Sequence, residues 1–220
     1  MHYQINPSIL SANLAYLADD IFSVLKAGAD NIHFDVMDNH YVPNLSFGPV
    51  LLESLVKTGI PMKIDVHLMV EPVDSLIKSF AKAGASSIVF HPEASKHIDH
   101  SLSLIRAFNI QAGLALNPTT NITICNHVLD KIDRILLMSV NPGFGGQKFI
   151  PEMFAKISAV NKWIQVSNKK ILLEIDGGIT VNNIKKISEC GASAFVTGSA
   201  IFTTHDYKKT IKDMRIQLGD

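Results

Sequence analysis

The chain has 220 residues, 47% hydrophobic and 18% charged, which suits one globular domain with a sizeable core. Lysine plus arginine equals aspartate plus glutamate, 20 against 20, so no global field draws the chain to nucleic acid or to an anionic membrane. The segment Met1–Pro7 lacks the pattern of a signal peptide, no run reaches the ~18 apolar residues of a bilayer span, and Cys125 and Cys190 form no disulfide framework, so a cytoplasmic protein is expected.

Short β-branched runs alternate with amphipathic stretches along the whole chain. In order, the pattern predicts a strand at Ile5–Leu10, a helix at Leu14–Ala27 and a strand at Asn31–Val36. A strand at Met62–Leu68 precedes a helix at Val73–Ala83, and a strand at Ser86–Phe90 precedes a helix at Ile98–Phe108. Strands at Gln111–Leu116 and Arg134–Ser139 come next, then a helix at Pro151–Val166. The last units are a strand at Ile171–Ile175, a helix at Val181–Cys190, a strand at Ala194–Thr197 and a helix at Asp206–Leu218.

A weak repeat supports the alternation. Lys26-Ala27-Gly28-Ala29-Asp30, Lys82-Ala83-Gly84-Ala85-Ser86 and Glu189-Cys190-Gly191-Ala192-Ser193 each end a helix with glycine and lead into a strand. The gaps between these glycines are close to two eighths and four eighths of the chain. Eight near-equal units favour a closed (β/α)8 TIM barrel over a doubly wound sheet, with residues 1–220 as a single catalytic domain.

In such barrels the chemistry sits where strands end. His33 and Asp35 share a parity and point to one side of the second strand; His67 ends the third and Asp176 the seventh. Each alone is a common hydrogen-bonded interior residue, but four at three strand ends point to one divalent ion. Two imidazoles and two carboxylates suit Zn²⁺, Fe(II), Mn²⁺ or Co²⁺. His91 is the rival ligand. Asp38 is one residue off the ligand parity and reads as a loop hydrogen-bonder, while Asp65 and Glu174 read equally as structural groups or as supports behind the ligands.

Asp35 and Asp176, expected on opposite sides of the barrel mouth, also form an acid/base pair suited to inverting a carbon beside a carbonyl. A metal on that carbonyl would stabilise the enediolate. Met37, Met69 and Met138 at strand ends read either as core filler or as an apolar lid. After the sixth strand, Asn141 through Gln147 carries Gly143, Gly145 and Gly146; Gly177 and Gly178 follow the seventh; Gly198 and Ser199 follow the eighth and open a short helix. Three glycine loops on adjacent strands predict a phosphate held by backbone N–H groups.

These stretches resemble the ribulose-phosphate 3-epimerase family. The matches are Ser8 through Ala12, His33 through Asp38 with Val42-Pro43-Asn44, Asp65 through Val70, Leu116-Asn117-Pro118, Val140 through Gln147, Glu174 through Ile179 and Gly198 through Phe202. The resemblance implies metal-assisted interconversion of D-ribulose 5-phosphate and D-xylulose 5-phosphate by inversion at C3, a step of carbohydrate metabolism. It implies Asp35 and Asp176 as proton acceptor and donor, exchanging roles in reverse, and His33, Asp35, His67 and Asp176 as metal ligands. It further implies substrate contacts from Ser8 and His67, phosphate contacts from Gly143, Phe144, Gly145, Gly146, Gly177, Gly178, Gly198 and Ser199, and a cap of Met37, Met69 and Met138. Thr197 stands where alanine is usual. A homo-oligomer is expected, since barrels of this kind associate.

Three alternatives stand beside this reading. An epimerase of D-allulose 6-phosphate would share the scaffold, though the full Gly143-Phe144-Gly145-Gly146 run looks more like the pentose enzyme. A metal-dependent hydrolase would lack a use for the phosphate loops, and the first strand has no His-x-His pair to serve it. A non-catalytic sugar-phosphate binder would have no use for two aspartates among the metal-type ligands.

Overall fold

The computed structural model describes residues 2–220. Its strands are β1 (Gln4–Pro7), β2 (Ile32–Met37), β3 (Ile64–Met69), β4 (Ser87–Phe90), β5 (Gln111–Leu116), β6 (Arg134–Met138), β7 (Leu172–Asp176) and β8 (Ala194–Thr197). The α-helices are α1 (Leu17–Lys26), α2 (Pro49–Lys57), α3 (Asp74–Ala83), α4 (Ile98–Arg106), α5 (Met153–Ser167), α6 (Ile184–Glu189), α7 (Ser199–Phe202) and α8 (Tyr207–Leu218). All eight strands form one parallel sheet in the order β1-β8-β7-β6-β5-β4-β3-β2. A single parallel bridge, Ser8 to His33, and a 3.0 Å bond from Asp30 N to Ile5 O join β1 to β2 and bring the sheet to a nearly closed barrel.

Strand alternation sorts the side chains into two populations. Ile32, Phe34 and Val36 of β2, with Val66, Leu68, Phe90, Leu114, Leu137 and Phe195, face outward into one core shared with the helices. Phe34 packs edge-on against Phe47 and Phe80, with ring centroids 5.1 and 5.8 Å away. The opposite parity fills the barrel. Val89, Ala115, Leu136, Met138 and Val196 belong to a small apolar cluster there, and the remaining inward places go to buried polar residues, including Asn6, His33, Asp35, Asp65, His67, Ser87, Arg134 and Glu174.

The three repeated glycines follow helices with φ of 106° at Gly28, 108° at Gly84 and 109° at Gly191, a conformation open to glycine at little cost. Besides α2, which no predicted helix covers, two elements depart from the expected pattern. The first strand ends at Pro7, because the Ser8 hydroxyl accepts a 3.3 Å bond from Leu10 N and starts a 3-10 turn at Ile9–Ser11. The β5–β6 connection has no α-helix, only 3-10 turns at Ile122–Cys125 and Leu129–Lys131. Pro118 and the capping Asn121 interrupt any longer helix there. The ammonium of Lys156 on α5 donates to the carbonyls of Asn117, Pro118 and Thr120, at 2.7, 3.1 and 2.6 Å, and pins the segment in place. Among the described residues no helix is long and apolar enough to cross a membrane.

Gly113 on β5 lies where two strands approach closely. An added Cβ would strike the Arg134 carbonyl oxygen and stand 2.8 Å from Val89 Cγ1. Gly113→Ala is expected to destabilise the barrel by about 1–3 kcal/mol, the usual cost of overpacking. Urea denaturation measures it; an unchanged midpoint would show that the strands part freely here.

Candidate active site

The C-terminal ends of the strands surround a cleft of about 550 Å³, counting its open mouth. Ser8, Asp35, Asp176, the three methionines and the glycine loops after β6, β7 and β8 all line it. At its floor, one ligand atom each from His33, Asp35, His67 and Asp176 lies within 4.8 Å of all the others. Asp35 Oδ1 is 3.3 Å from His33 Nε2 and 3.1 Å from His67 Nδ1. Asp176 Oδ2 is 3.8 Å from His33 Nε2 and 3.7 Å from His67 Nδ1. Around the barrel, β2 and β7 are separated by β1 and β8 alone. The two aspartates are therefore not diametrically opposed, and this is why both reach one point.

The donor set fits a divalent ion. His33 Nε2 is buried without a hydrogen-bond partner, because its approach to Asp35 lies off the angle a bond requires. Its other nitrogen, Nδ1, is 3.3 Å from Asp65 Oδ2, so in the neutral ring the proton belongs there and the Nε2 lone pair faces the cluster. His67 presents Nδ1 to the cluster and sets Nε2 2.9 Å from His91 Nε2. His91 thus stands behind His67 and is not one of the four clustered residues. The Tyr41 ring covers His91 at 4.8 Å between centroids, and the Tyr41 hydroxyl accepts a 2.9 Å bond from Asn117 Nδ2.

The electrostatics follow from burial. For His33, desolvation lowers the pKa, yet Asp35 and then Asp65 outweigh it and hold the imidazole well above its ordinary value. His67 is raised too, because Asp176 and Asp35 outweigh its own burial. Asp35 is pushed up by burial but pulled far down by His33 and His67, so it stays ionised. Burial, together with neighbouring His67, lowers His91 well below the usual histidine range and keeps it neutral.

Each aspartate is placed by its surroundings. Ser8 Oγ donates to Asp35 Oδ2 at 2.5 Å, and Ser46 Oγ donates to the Asp35 carbonyl at 2.7 Å. Ser139 anchors Asp176: its N–H and hydroxyl donate to the Asp176 carbonyl at 2.7 and 2.9 Å, and the hydroxyl is also 2.7 Å from Gly177 O. Asp38 accepts from the N–H groups of His40, Tyr41 and Glu71, the loop role expected of it.

The glycine loops form one wall of the cleft. Gly177 and Gly178 adopt φ of 118° and 65°. A side chain on Gly177 would meet Val140 Cγ2 at 2.5 Å, and one on Gly178 would strike the Phe149 backbone, so neither position tolerates one. Gln147 Nε2 ties the β6 loop by donating to Asn141 O at 2.6 Å and Phe144 O at 2.9 Å, while Asn44 Nδ2 donates to Gly143 O at 2.7 Å. Met37, Met69 and Met138 are buried at the mouth. His67 has no exposed surface and meets the cleft only through the cluster. Thr197 is buried, and Val196 rather than Thr197 lines the cleft.

Sequence reasoning does not reach Arg134, which lies inside the barrel beneath the cluster and is paired with Asp65 and with Glu174, the latter at 2.9 Å. Glu174 consequently supports no ligand directly; it accepts from Arg134 and from Asn6 Nδ2 at 2.7 Å. A signal exists, because Arg134 shares its parity with inward-facing Leu136 and Met138.

Comparison with known proteins agrees with this geometry. The model of the "Ribulose-phosphate 3 epimerase family" matches residues 4–202. A ribulose-phosphate 3-epimerase of Escherichia coli (strain K12) is 56% identical over 99% of this chain and 96% of its own length. One from Buchnera aphidicola subsp. Acyrthosiphon pisum (strain APS) is 55% identical over 96% and 93%. Among solved structures, KGPDC from Streptococcus mutans superposes with a TM-score of 0.70 at 15% identity, covering 100% of this chain and 98% of that one. A 3-hexulose-6-phosphate synthase superposes at 0.69 with 16% identity, covering 99% of this chain and all of that one. These two share the fold. On the matched residues and the full-length relatives, the chain belongs to the ribulose-phosphate 3-epimerase family.

Proposed function

We propose that this site interconverts D-ribulose 5-phosphate and D-xylulose 5-phosphate by moving the proton on C3 between Asp35 and Asp176. The observation that carries the reading is the meeting of two carboxylates and two imidazoles at the floor of a cleft walled by glycine loops. Residues 1–220 act in it as a single catalytic domain.

His33, Asp35, His67 and Asp176 would hold the divalent ion, which supplies Lewis-acid stabilisation of negative charge developing on the substrate oxygens. Backbone N–H groups of Gly143 through Gly146, Gly177, Gly178, Gly198 and Ser199 bind the phosphate and fix the sugar across the cleft. Asp35 takes the proton from C3 on one face, and Asp176 returns one to the other face. In the reverse direction their roles exchange. Ser8, bonded to Asp35 Oδ2, orients that carboxylate and reaches the substrate from the same edge. Met37, Met69 and Met138 exclude water from the intermediate, which protects it from side reactions.

The balanced charge supports the absence of a nucleic-acid partner, and the two free cysteines support a cytoplasmic setting. Association into a homo-oligomer belongs to the same reading, with exposed Leu14, Tyr16 and Phe22 available as apolar surface.

Asp35→Asn and Asp176→Asn are each expected to lower turnover by about 10²–10⁴-fold or more while the fold persists. Proton NMR in D₂O follows deuterium entering C3, and metal content measured in parallel separates loss of the base from loss of the ion. Near-normal turnover in either variant removes that residue from the pair. Gly145→Asp, whose side chain would point toward Ser11, is expected to raise KM at least about tenfold through charge repulsion of the phosphate; an unchanged KM would put the phosphate elsewhere. Chelation should abolish turnover, and added ion should restore it. Because His33 and His67 are both raised above 6.5, the entering ion must displace protons from them. Affinity for Mn²⁺ should therefore weaken as pH falls, by up to about tenfold per unit for each proton displaced. A Kd that does not vary between pH 6 and 8 would contradict that arrangement.

A further inference from the structure

We infer that Arg134 is a positioning residue for the metal centre, acting through Asp65 to hold the His33 ring with Nε2 aimed at the ion; the inference rests on the site proposed above. Arg134 is buried inside the barrel, and one nitrogen, Nη1, donates both to Asp65 Oδ2 and to Glu174 Oε2. Asp65 Oδ2 is the same oxygen that faces His33 Nδ1 at 3.3 Å. The other Asp65 oxygen accepts from Ser87 Oγ at 2.6 Å, and the second oxygen of Glu174 accepts from Asn6 Nδ2 at 2.7 Å. Asn6 Oδ1 in turn accepts from Asn31 Nδ2 at 3.0 Å. Both carboxylates are thus held at both oxygens, and the guanidinium is the link between them.

The geometry gives this network a function beyond filling the barrel. His33, Asp65 and Glu174 themselves form a group whose donor atoms lie within 4.8 Å of one another, a second set able to hold a cation. Arg134 occupies that place with a fixed organic cation. Two consequences follow. Asp65 is restrained to accept from His33 Nδ1, which sets the tautomer and the tilt of the ring. The two acids beneath the cluster are also neutralised locally, so the ion enters at the upper set, open to the cleft, and not at the lower one.

The test compares wild type with Arg134→Met, which keeps much of the volume, and Arg134→Lys, whose single ammonium can serve both carboxylates. Three readouts are taken: Mn²⁺ affinity by competition with a chelator, the split between kcat and KM, and the His33 tautomer from ¹⁵N NMR of metal-free protein at a pH high enough to leave the ring neutral. Arg134→Met should weaken Mn²⁺ binding about 10–100-fold, lower kcat with KM within about twofold, and turn the single Nδ1–H tautomer into a mixture. Arg134→Lys should recover most of each. A folded Arg134→Met with lowered thermal stability but wild-type Mn²⁺ affinity and tautomer would overturn the proposal and leave Arg134 a structural residue. Equal defects in the Met and Lys variants would overturn it as well. Should Arg134→Met not fold, Arg134→Gln, which keeps a donor and drops the charge, is judged by the same criteria. Failure of wild type to bind Mn²⁺ would instead count against the metal site, and the tautomer comparison would still decide the role of Arg134.

Discussion

A buried charge must be paired, and the interior of this barrel is built around that requirement. His33, Asp35, Asp65, His67, Arg134 and Glu174 all lie inside with almost no contact with solvent. Removing one partner from such a set costs about 3–5 kcal/mol, because the charge left behind has nowhere to go. The lower part of the set is nearly complete in itself: Arg134 answers Asp65 and Glu174, and Ser87 and Asn6 bond the second oxygens of those carboxylates, with Arg134 Nε left without a partner. The upper part is not, since His33 Nε2 meets no hydrogen-bond donor or acceptor in line. A divalent ion completes it. Burial also pushes Glu174 up, to about 7, with Asp65 adding to the rise and Arg134 opposing it, so the lower layer holds its acids with no charge to spare.

This division explains which parts of the site are legible in the sequence. Parity alone puts His33 and Asp35 on one face, and the glycine runs mark the loops after β6, β7 and β8 that line the cleft. Strand positions follow from the pattern to within a residue or two, except where Ser8 turns the chain away from β1. The β5–β6 connection breaks the rule of helical crossovers that the alternation implies, and the tertiary anchor that holds it, Lys156, lies on a distant helix and leaves no local mark. α2 falls outside the predicted helices, although Pro49 in its first turn and the buried Leu52 and Leu55 are ordinary signals.

What the sequence does not convey is which polar residues answer one another across the barrel. His91 sits at a strand end like a ligand, yet the ring of His67 comes between it and the cluster. Glu174 precedes a ligand by two residues, yet turns to Arg134 and Asn6. Arg134 follows Asp133 and so resembles a surface ion pair at the start of a strand; Asp133 does take an exposed partner, Arg106, at 3.0 Å. Only the curvature of the sheet, which carries β6 past β5 and β4 toward β3, brings Arg134 to Asp65.

The single bridge between Ser8 and His33 bears on the birth of the molecule. The residues of the metal cluster are drawn from β2, β3 and β7, and β1 takes its long edge from β8, the eighth strand of the barrel. On a ribosome, the chain would carry its two histidines and first aspartate long before Asp176 emerged. Contacts between segments so far apart form late and slowly. The centre therefore assembles only after β7 has emerged, and a chain that stops short of Asp176 lacks one of the four donors and the second carboxylate.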